Sequence, residues 1–545
     1  MPEAETFDYV IVGAGAAGSV LAERLSADGG RTVCILEAGP PDTNPWLHIP
    51  AGYVKTLVDP RVLWQFATEP SPGSGGRAVY IPQGRVYGGS SSLNGLVYNR
   101  GQAADFDHWA QLGNSGWAYE DLLPYFRRSE ERIGKGDDRY RGRSGPLKIT
   151  DPGWSHPLTE AFIDGVAATG VPRGNDYNGE SQAGTGYYQR MIHRGWRISA
   201  ARAFLHPALR RRNVEIRSGA QAASILLEDG RAVGVRYFTG GDKASMREVR
   251  CRREVVVSAG TVNSAKLLQL SGIGPGGLLG EHGIEVRCEL PVGENFRDHY
   301  FVRLAARLKP GTISLNQMAK GWRLGREVFR WALGRPSILA LSPSIVYVFW
   351  KSDPALEAPD LQFVCTPGSY KPGQVYVLDD FPAITCGFTQ QRPESVGHVR
   401  IRSADPLEKP ELQPNYLADA GDREVVLRAM RMTRGYLRSA SLAPYYEREE
   451  VPGEGVRGDD ELMEFARRTG NTGYHLIGTC RMGPRGRRDA VVDPELRVQG
   501  VGGLRVVDAS IMPRMVSANT YASTLMIAEK GADMILAAER GASRA

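Results

Sequence analysis

The sequence predicts a protein of two domains, one of the α/β class around a parallel sheet and one of the α+β class around an antiparallel sheet. The chain has 545 residues, which is too long for a single hydrophobic core. Its N-terminal stretch runs strand, turn, helix, strand, the order that builds parallel sheets. Segments 344–349 and 398–402 instead show the period-two alternation of antiparallel strands. We therefore expect two different sheets.

The first element is a glycine-rich strand, turn and helix. Residues 7–12 form an apolar run, and Gly13, Gly15 and Gly18 follow it in a G-x-G-x-x-G pattern. Such glycines permit a tight turn, a close approach of backbone N–H groups to a diphosphate, and close packing of helix on strand. A second strand ends at Glu37, at the spacing of an acid that binds a ribose diol. This context predicts a Rossmann-like dinucleotide-binding domain rather than a loop that binds nothing, without distinguishing FAD from NAD or NADP.

Composition and charge exclude several other classes of protein. The net charge of +6 is the small difference between 67 basic and 61 acidic residues, so no nucleic-acid partner is expected. Six scattered cysteines form no CxxC pair and predict neither a disulfide framework nor a metal site. The first six residues lack the basic start of a signal peptide, and the apolar stretch 338–350 is too short to span a bilayer. The expected location is the cytoplasm.

A second glycine-rich segment runs from Gly84 to Gly101. Its paired glycines, Gly88 and Gly89, and the serines 90–92 allow the backbone to lie against a ligand and offer donors to its phosphates. Further motifs follow in order at 258–274, 293–299 (GENFRDH), 474–483 (YHLIGTCRMG), 503–510 (GLRVVDAS) and 518–530. With the N-terminal turn, this set resembles the glucose-methanol-choline (GMC) oxidoreductase family over nearly the whole chain. Within that family it is most similar to the choline dehydrogenase-like branch of bacterial alcohol dehydrogenases and oxidases.

The resemblance implies that the dinucleotide is FAD. Together with the first glycine turn, it assigns these residues to the cofactor: Gly13, Gly15, Ala16, Ala17, Gly18, Glu37, Ala38, Arg85, Gly88, Gly89, Ser90, Ser91, Asn94, Gly95, Leu96, Val97, Ala259, Gly260, Asp508, Ala509, Asn519 and Thr520. Some members of the family tether FAD covalently through a histidine, and the matching position here is Leu93. Because leucine cannot form that bond, noncovalent FAD is expected.

The same resemblance implies a catalytic histidine at His475 and a second polar residue facing the substrate at Asn519. Imidazole titrates near neutral pH, so His475 is the candidate for taking the alcohol proton. An asparagine amide can hydrogen-bond the substrate oxygen but cannot act as a base. The predicted reaction oxidises a primary alcohol to an aldehyde, with the hydride passed to flavin N5 and then to oxygen or another electron acceptor. His299 is expected to be structural or close to the flavin.

Two other functions fit part of the sequence. A few members of the family use the same histidine to cleave cyanohydrins, which is a lyase reaction, and an NAD-linked dehydrogenase needs only the first glycine motif. Flavin reduction by an alcohol without oxygen distinguishes the first, and a yellow purified protein excludes the second. The sequence leaves the alcohol, the physiological electron acceptor and the oligomeric state unassigned.

The expected FAD-binding domain is discontinuous and comprises residues 1–156, 198–308 and 469–545. Segments 213–219, 222–227 and 254–260 have the composition of strands that return to this domain. Residues 157–197 and 309–468 form the expected substrate-binding domain. By resemblance, that domain covers the flavin and supplies the substrate pocket.

The segment 315–333 has two interpretations. Its apolar residues can share one helical face, with basic residues on another. The apolar residues are Leu315, Met318, Trp322, Phe329 and Leu333. Such a basic amphipathic helix is typical of contact with an anionic membrane surface, and a helix packed on the substrate domain explains the same pattern. We favour packing over peripheral membrane contact because Gly321, Gly325 and Gly334 weaken an autonomous helix.

The last predicted element is a helix that starts at Thr524 with a cap at Ser523. Its N-terminus could lie beside the flavin, where a helix dipole stabilises the negative charge that hydride transfer creates. An ordinary C-terminal packing helix explains the same pattern, and the two roles are compatible.

Overall fold

The computed structural model describes residues 5–174, 176–371, 374 and 377–542. The strands are β1 (Thr6–Val12), β2 (Val33–Glu37), β3 (Leu63–Ala67), β4 (Tyr80–Gly84), β5 (Glu130–Ile133), β6 (Leu147–Thr150), β7 (Gly184–Tyr187), β8 (Ile192–His193), β9 (Trp196–Arg197), β10 (Val214–Ser218), β11 (Ala220–Glu228), β12 (Arg231–Thr239), β13 (Asp242–Val257), β14 (Ile273–Gly274), β15 (Cys288–Glu289), β16 (Tyr300–Leu308), β17 (Val346–Trp350), β18 (Leu361–Thr366), β19 (Ala383–Gln390), β20 (His398–Arg400), β21 (Glu411–Gln413), β22 (Tyr446–Val451), β23 (Asn471–Thr472) and β24 (Leu504–Val506). The helices are α1 (Ala16–Leu25), α2 (Tyr53–Thr56), α3 (Ala103–Gln111), α4 (Tyr119–Ser129), α5 (Pro157–Ala167), α6 (His206–Ala208), α7 (Gly260–Leu270), α8 (Gly276–Glu281), α9 (Leu315–Met318), α10 (Gly321–Ala332), α11 (Ala420–Leu437), α12 (Asp459–Thr469) and α13 (Tyr521–Ala542).

The first sheet is mainly parallel and carries the N-terminal glycine turn. Strands β10, β2, β1 and β13 lie side by side in that order and are parallel, and β24 pairs with the C-terminal end of β13. β12 and β11 extend the sheet in antiparallel pairing from the other end of β13. Val10 and Ile11 point to opposite faces and both are fully buried, so both faces are covered. The predicted α/β domain is confirmed, including the strands expected at 213–219, 222–227 and 254–260.

α13 closes the first domain although it comes last among the described elements. It packs on α1 and α4, and its fully buried Glu529 accepts hydrogen bonds from Arg24 at 2.8 Å and Arg128 at 2.7 Å. The helix begins at Tyr521, three residues before the predicted start. Ser523 lies inside it and its hydroxyl donates to the Arg100 carbonyl oxygen at 3.2 Å. The predicted cap at Ser523 is therefore wrong, because a tertiary contact uses that hydroxyl.

The second sheet is antiparallel, as predicted. Its order is β22, β16, β19, β18, β17, β7, with β23 paired to the start of β16, and α5 and α11 pack against it. The strand expected at 344–349 is β17. β16 lies in this sheet although its residues fall within the expected FAD-binding segment 198–308. The domain limits themselves stay a prediction.

The second alternating segment, 398–402, does not join that sheet. β20 pairs with β21 in a separate antiparallel hairpin, whose Val399 and Leu412 belong to the core of the first domain. Gln269 of α7 holds the hairpin there, donating from Nε2 to the Val399 carbonyl and accepting at Oε1 from the Ile401 amide, both at 3.0 Å. The prediction that segments 344–349 and 398–402 share one sheet is wrong. The side chain of Gln269 in the first domain hydrogen-bonds the backbone of β20 and holds that strand away from the second sheet.

The segment 315–333 forms two helices, α9 and α10. α10 packs through Trp331, whose Nε1 donates to the Gly195 carbonyl oxygen at 3.0 Å and whose ring centre lies 4.7 Å from that of Trp196. Trp322 and Phe329 of α10, and Leu333 just after it, are 71%, 65% and 54% exposed. The buried side chain of this helix is Glu327, whose carboxylate accepts from the Ile338 amide at 3.2 Å. The predicted packing is confirmed for Leu315 and Met318. It is wrong for Trp322, Phe329 and Leu333, which face solvent. Within the described ranges, no helix is both long and apolar enough to cross a membrane.

Candidate active site

A cavity of about 450 Å³ is lined by residues of both sheets. Most of the residues predicted to bind the cofactor line it: Gly13, Gly15, Ala16, Ala17, Glu37, Ala38, Gly89, Ser90, Ser91, Asn94, Gly95, Leu96, Val97, Ala259, Gly260, Asp508, Ala509, Asn519 and Thr520. His475 also lines it, as do Arg303 and Thr389 of the second sheet. The fold therefore brings segments from almost the whole chain to one elongated site.

The glycine turns form a cradle in which side chains would collide. Gly13 has φ +100°, and a Cβ there would lie 2.5 Å from the Ser258 carbonyl oxygen. A Cβ on Gly89 would lie 2.8 Å from the Cα of Gly15, so the two glycine segments approach backbone to backbone. α1 starts directly after Gly15 and has no side-chain cap, which leaves its first-turn N–H groups for a ligand. These features fit the diphosphate of a dinucleotide.

Glu37 ends β2 at the wall of this cradle. Its Oε2 accepts from the Ala14 amide at 2.8 Å and its Oε1 from the Gly39 amide at 2.7 Å. Burial raises the pKa of this carboxyl, and the two amides oppose that rise. Because each carboxylate oxygen has a further lone pair, the side chain is held in place and can still accept two hydroxyl hydrogens. This fits the predicted grip on a ribose diol.

The serines of the second glycine segment bond to protein groups. The hydroxyls of Ser90, Ser91 and Ser92 donate to Gln83 Oε1, the Gly88 carbonyl and the Tyr87 carbonyl at 2.9, 2.6 and 2.7 Å. Their hydroxyls therefore fix a 3-10 turn, Gly89–Ser92, so any donors to a phosphate would come from its backbone. The predicted hydrogen-bond donors to a phosphate are therefore the main-chain N–H groups of this segment and not its serine hydroxyls.

Three predicted cofactor residues, Gly18, Arg85 and Gly88, do not line the cavity. A Cβ on Gly18 would lie 1.9 Å from the Gly13 carbonyl oxygen, so its role is to let α1 pack on the turn. Arg85 donates to the Ala38 carbonyl at 3.2 Å and lies 5.0 Å over the Trp64 ring. Gly88 has φ +83° and supplies the left-handed bend before Gly89. All three shape the site from behind its wall.

Asp508 ties together the segments around the first turn of α7. Its Oδ2 accepts from the Gly260 amide at 2.9 Å and from the Ser264 hydroxyl at 2.6 Å, and its Oδ1 accepts from the Ser510 amide at 2.8 Å. The carboxylate is therefore a brace between the C-terminal segment and α7, with Asp508 and Ala509 both on the cavity wall.

His475 lies in a continuous chain of hydrogen bonds at the other end of the cavity. His299 Nε2 is 2.8 Å from the Gln391 carbonyl oxygen, His299 Nδ1 is 2.8 Å from His475 Nδ1, and His475 Nε2 is 2.9 Å from Asn519 Nδ2. Asn519 Oδ1 accepts from Gln362 Nε2 at 3.2 Å. The two predicted catalytic residues are therefore brought into direct contact, and His299 adjoins them.

Burial keeps both imidazoles neutral. It lowers the pKa of His299 to about 4. Burial, followed by the neighbouring His299, holds the pKa of His475 well below its ordinary value. At neutral pH each ring therefore carries one hydrogen, which makes one nitrogen a donor and the other an acceptor.

The carbonyl of Gln391 then fixes where each hydrogen lies. A carbonyl oxygen only accepts, so His299 Nε2 carries the hydrogen and His299 Nδ1 must accept. His475 therefore donates from Nδ1, and its Nε2 is left without a hydrogen. That bare nitrogen accepts from Asn519, whose amide orientation is set by Gln362. The chain thus presents an unprotonated imidazole nitrogen to the cavity.

The backbone before His475 is shaped around His299. Only glycine fits at position 473, since a Cβ there would lie 2.8 Å from the Cβ of His299. Tyr474 has φ +65°, an uncommon conformation for a residue with a side chain. The His475 amide donates to Asp298 Oδ1 at 2.8 Å, and Asp298 Oδ2 accepts from Tyr416 at 2.6 Å. This turn aims the imidazole at the cavity.

Sequence reasoning missed several lining residues on the second sheet and beside it. Gln362 lies on β18, Arg303 on β16 and Tyr53 on α2, and all three line the cavity. One signal was present: Phe301 and Arg303 stand two residues apart directly after the GENFRDH motif, which places both on one face of a strand. The role of His299 rested on a tertiary contact that no motif encodes.

The fold and this site together indicate a dinucleotide-dependent oxidoreductase with an unprotonated imidazole nitrogen facing its cavity. Models of the GMC oxidoreductase family match residues 7–301 and 393–528. The chain belongs to this GMC oxidoreductase family, so it is an enzyme that acts on CH–OH donors and its cofactor is FAD.

Relatives match over nearly the full length. An oxygen-dependent choline dehydrogenase of Brucella canis is 41% identical over 537 residues, which is 97% of this chain and 95% of that protein. One from Rhizobium etli is 40% identical over 534 residues, with the same coverage of both chains. Among solved structures, pyridoxine 4-oxidase from Mesorbium loti is 31% identical with a TM-score of 0.86, covering 96% of this chain and 98% of that one. A formate oxidase is 25% identical with a TM-score of 0.90, covering 99% and 100%.

Proposed function

We propose that the protein oxidises a primary alcohol to an aldehyde, with His475 Nε2 taking the hydroxyl proton. The observation that carries this proposal is the hydrogen-bond chain from Gln391 through His299 to His475, which leaves Nε2 unprotonated and facing the cavity. A general base must be within hydrogen-bond reach of the proton it removes. An alcohol hydroxyl that replaces the Asn519 amide hydrogen at Nε2 meets that requirement.

The residues around the base have separate tasks. Asn519 Nδ2, once displaced from Nε2, can donate to the substrate oxygen and fix its position. When bound, FAD supplies the acceptor for the hydride that leaves the carbinol carbon. Gln362 keeps the Asn519 amide in the donating orientation. The proton that His475 takes stays on Nε2, while Nδ1 goes on donating to His299.

We further propose that FAD is held without a covalent bond. The cradle around Gly13 and Gly89, the carboxylate of Glu37 and the braced Gly260 segment would hold its nucleotide part. Leu93 lines the cavity at the position where some family members carry the tethering histidine, and its side chain offers no nucleophile. The reduced cofactor would pass its electrons to oxygen or to another acceptor.

Rapid mixing of the FAD-loaded protein with alcohols in the absence of oxygen tests the proposal. We expect His475→Ala to slow flavin bleaching by about 10²- to 10⁴-fold, the range for loss of a general base, and Asn519→Ala to slow it less. His193→Ala, a histidine on β8 that does not line the cavity, is the matched control. Near-normal bleaching by His475→Ala would remove this residue from the mechanism. Bleaching by an alcohol also separates oxidation from the lyase alternative.

A further inference from the structure

The end of the cavity beyond His475 carries a positive charge. Phe301 and Arg303 lie two residues apart on β16, about 7 Å along the strand, and both line the cavity. The guanidinium carbon of Arg303 is 4.9 Å from the centre of the Phe301 ring. Phe301 and Arg303 alternate with the fully buried Val302 and Leu304, so both of their side chains lie on the face of β16 that lines the cavity.

Arg303 has no carboxylate partner in the part of the chain that the structure describes. Among the described residues, the carboxylates that line the cavity are Glu37 and Asp508. Both lie at the nucleotide-binding end of the cavity and accept hydrogen bonds from backbone amides. Asp298 lies behind the wall and is satisfied by Tyr416 and the His475 amide. An arginine on a cavity wall without a counter-ion is a site for an anionic ligand group, since guanidinium pairs with carboxylate through two parallel hydrogen bonds.

The other polar groups at this end are uncharged. Tyr53 and Tyr370 share a hydrogen bond at 2.8 Å between their hydroxyls, and Thr366, Thr385 and Thr389 also line the cavity. Hydroxyl groups can donate to a carboxylate. None of them offsets the charge of Arg303, so this end of the cavity is electropositive.

We propose that the substrates are alcohols that carry an anionic group, with a carboxylate as the favoured class, held by Arg303 while the hydroxyl meets His475. The inference rests on the proposed oxidation. A spacer between the carbinol carbon and the anion is required because Arg303 follows the base-contacting His299 by four residues, with Phe301 on the cavity wall between them. Choline carries a quaternary ammonium group, which Arg303 would repel, so the activity named for the relatives is not expected here.

Binding of a carboxylate that has no hydroxyl tests the anion site without any oxidation. We expect calorimetric titration of the FAD-loaded protein to show that butyrate binds and that butyramide binds much more weakly. Arg303→Gln should weaken butyrate binding by about 10- to 100-fold, the range for a hydrogen bond to a charged group, and Arg303→Lys should restore part of it. Arg307→Gln, on the same strand but paired with Glu450 at 2.9 Å, is the control. Equal binding of butyrate and butyramide, or unchanged binding by Arg303→Gln, would overturn the proposal.

Flavin bleaching by matched alcohols then tests substrate choice. We expect ω-hydroxycarboxylates to give a lower KM than the corresponding hydroxyamides, choline to be the poorest, and Arg303→Glu to reverse that order. A preference of the wild-type protein for choline or the hydroxyamides would contradict the anionic substrate class and would still support the proposed alcohol oxidation. Arg303-dependent butyrate binding without bleaching by any alcohol would instead uphold the anion site and contradict the proposed oxidation.

Discussion

His299 and His475 meet through the same ring nitrogen, Nδ1, and this determines which nitrogen of His475 faces the substrate. Two neutral imidazoles in such a contact need one donor and one acceptor. The Gln391 carbonyl on the far side of His299 decides the assignment. We therefore propose that His299 is a positioning residue that acts through His475, in the way that a carboxylate orients the histidine of a hydrolase triad.

Variants of His299 test this positioning role. We expect His299→Ala to slow flavin reduction by about 10- to 1,000-fold, because His475 Nδ1 loses its acceptor and the ring can place its hydrogen on Nε2 instead. Substrate affinity should change little. His299→Gln offers an amide oxygen to the same hydrogen and should recover part of the rate. Rapid kinetics that separate substrate binding from reduction provide the measurement, and equal rates for the alanine and glutamine variants would contradict the assignment.

The acid limb of the pH profile reports the same contact. His475 must be unprotonated to act, so kcat/KM falls as the pH drops below the pKa of His475. Burial first and His299 second hold that pKa well below its ordinary value, so the wild-type plateau should extend below about pH 6.5. His299→Gln removes the smaller of these two causes and should move the limb to higher pH. A wild-type limb at the ordinary histidine value would show that the pKa is not lowered.

At this scale the sequence predicted the residues that belong to motifs and missed those placed by tertiary contacts. His475 and Asn519 could be placed at one site because their motifs are local, and the structure brings them into contact on the cavity wall; their catalytic roles stay a prediction. The partnership of His299 with His475 spans 176 residues and depends on the turn at Gly473 and on β23 pairing with β16. No local pattern records such a contact, and the same holds for the lack of a carboxylate partner of Arg303 among the described residues.

Among the individual elements, α10 departs most from what its sequence pattern suggested. Its two most exposed apolar residues, Trp322 and Phe329, and Leu333 just after it fall within about 40° of one another around the helix axis and face solvent. Leu324 and Val328, 37% and 44% exposed, lie on the opposite side. Arg323 and Arg326 lie 5.6 and 5.7 Å from the Trp322 ring, on one flank of the Trp322 face. A self-associated face would bring these arginines together, whereas an anionic lipid surface neutralises them and receives the apolar side chains.

We expect the FAD-loaded protein to float with vesicles of mixed phosphatidylcholine and phosphatidylglycerol, and less with phosphatidylcholine alone. Trp322→Ser combined with Phe329→Ser should abolish flotation and leave thermal stability nearly unchanged, since both side chains are already exposed. The matched control replaces two other exposed apolar residues, Val286 and Met246, by serine. Both lie outside α10. Flotation of the Trp322 and Phe329 variant at the wild-type level, or of neither protein, would refute the expectation.

For the whole molecule, the cofactor cavity joins two sheets that otherwise have separate cores. FAD in this cavity would contact both, so its removal should lower the melting temperature. A ligand at several hundred times its Kd adds about 3 to 4 kcal/mol to the free energy of unfolding. Acid precipitation should release all flavin into the supernatant because Leu93 forms no bond to it. Scanning fluorimetry with and without added FAD measures the first effect, and a yellow pellet after precipitation would disprove the second.

The two sheets were predicted in class because period and glycine spacing are properties of short segments. Their membership was harder to predict. β16 directly follows the GENFRDH motif and yet belongs to the second sheet. β20, in the segment 398–402, is instead hydrogen-bonded to Gln269 of the first domain. Which sheet receives a strand depends on partners that are distant in sequence, so local patterns could not decide it.

The pairing of β24 with β13, and the packing of α13 on α1, have a consequence for biosynthesis. A ribosome releases β13 long before β24, and every strand of the second sheet except β7 is made in between. Until then the C-terminal end of β13 has an open edge, and such edges are prone to pairing with other chains. Nor can the nascent N-terminal domain complete its FAD site, because Asp508 and Asn519 have not been translated. We therefore expect flavin capture to be a post-translational step, and chaperone dependence to be greatest just before the last segment emerges.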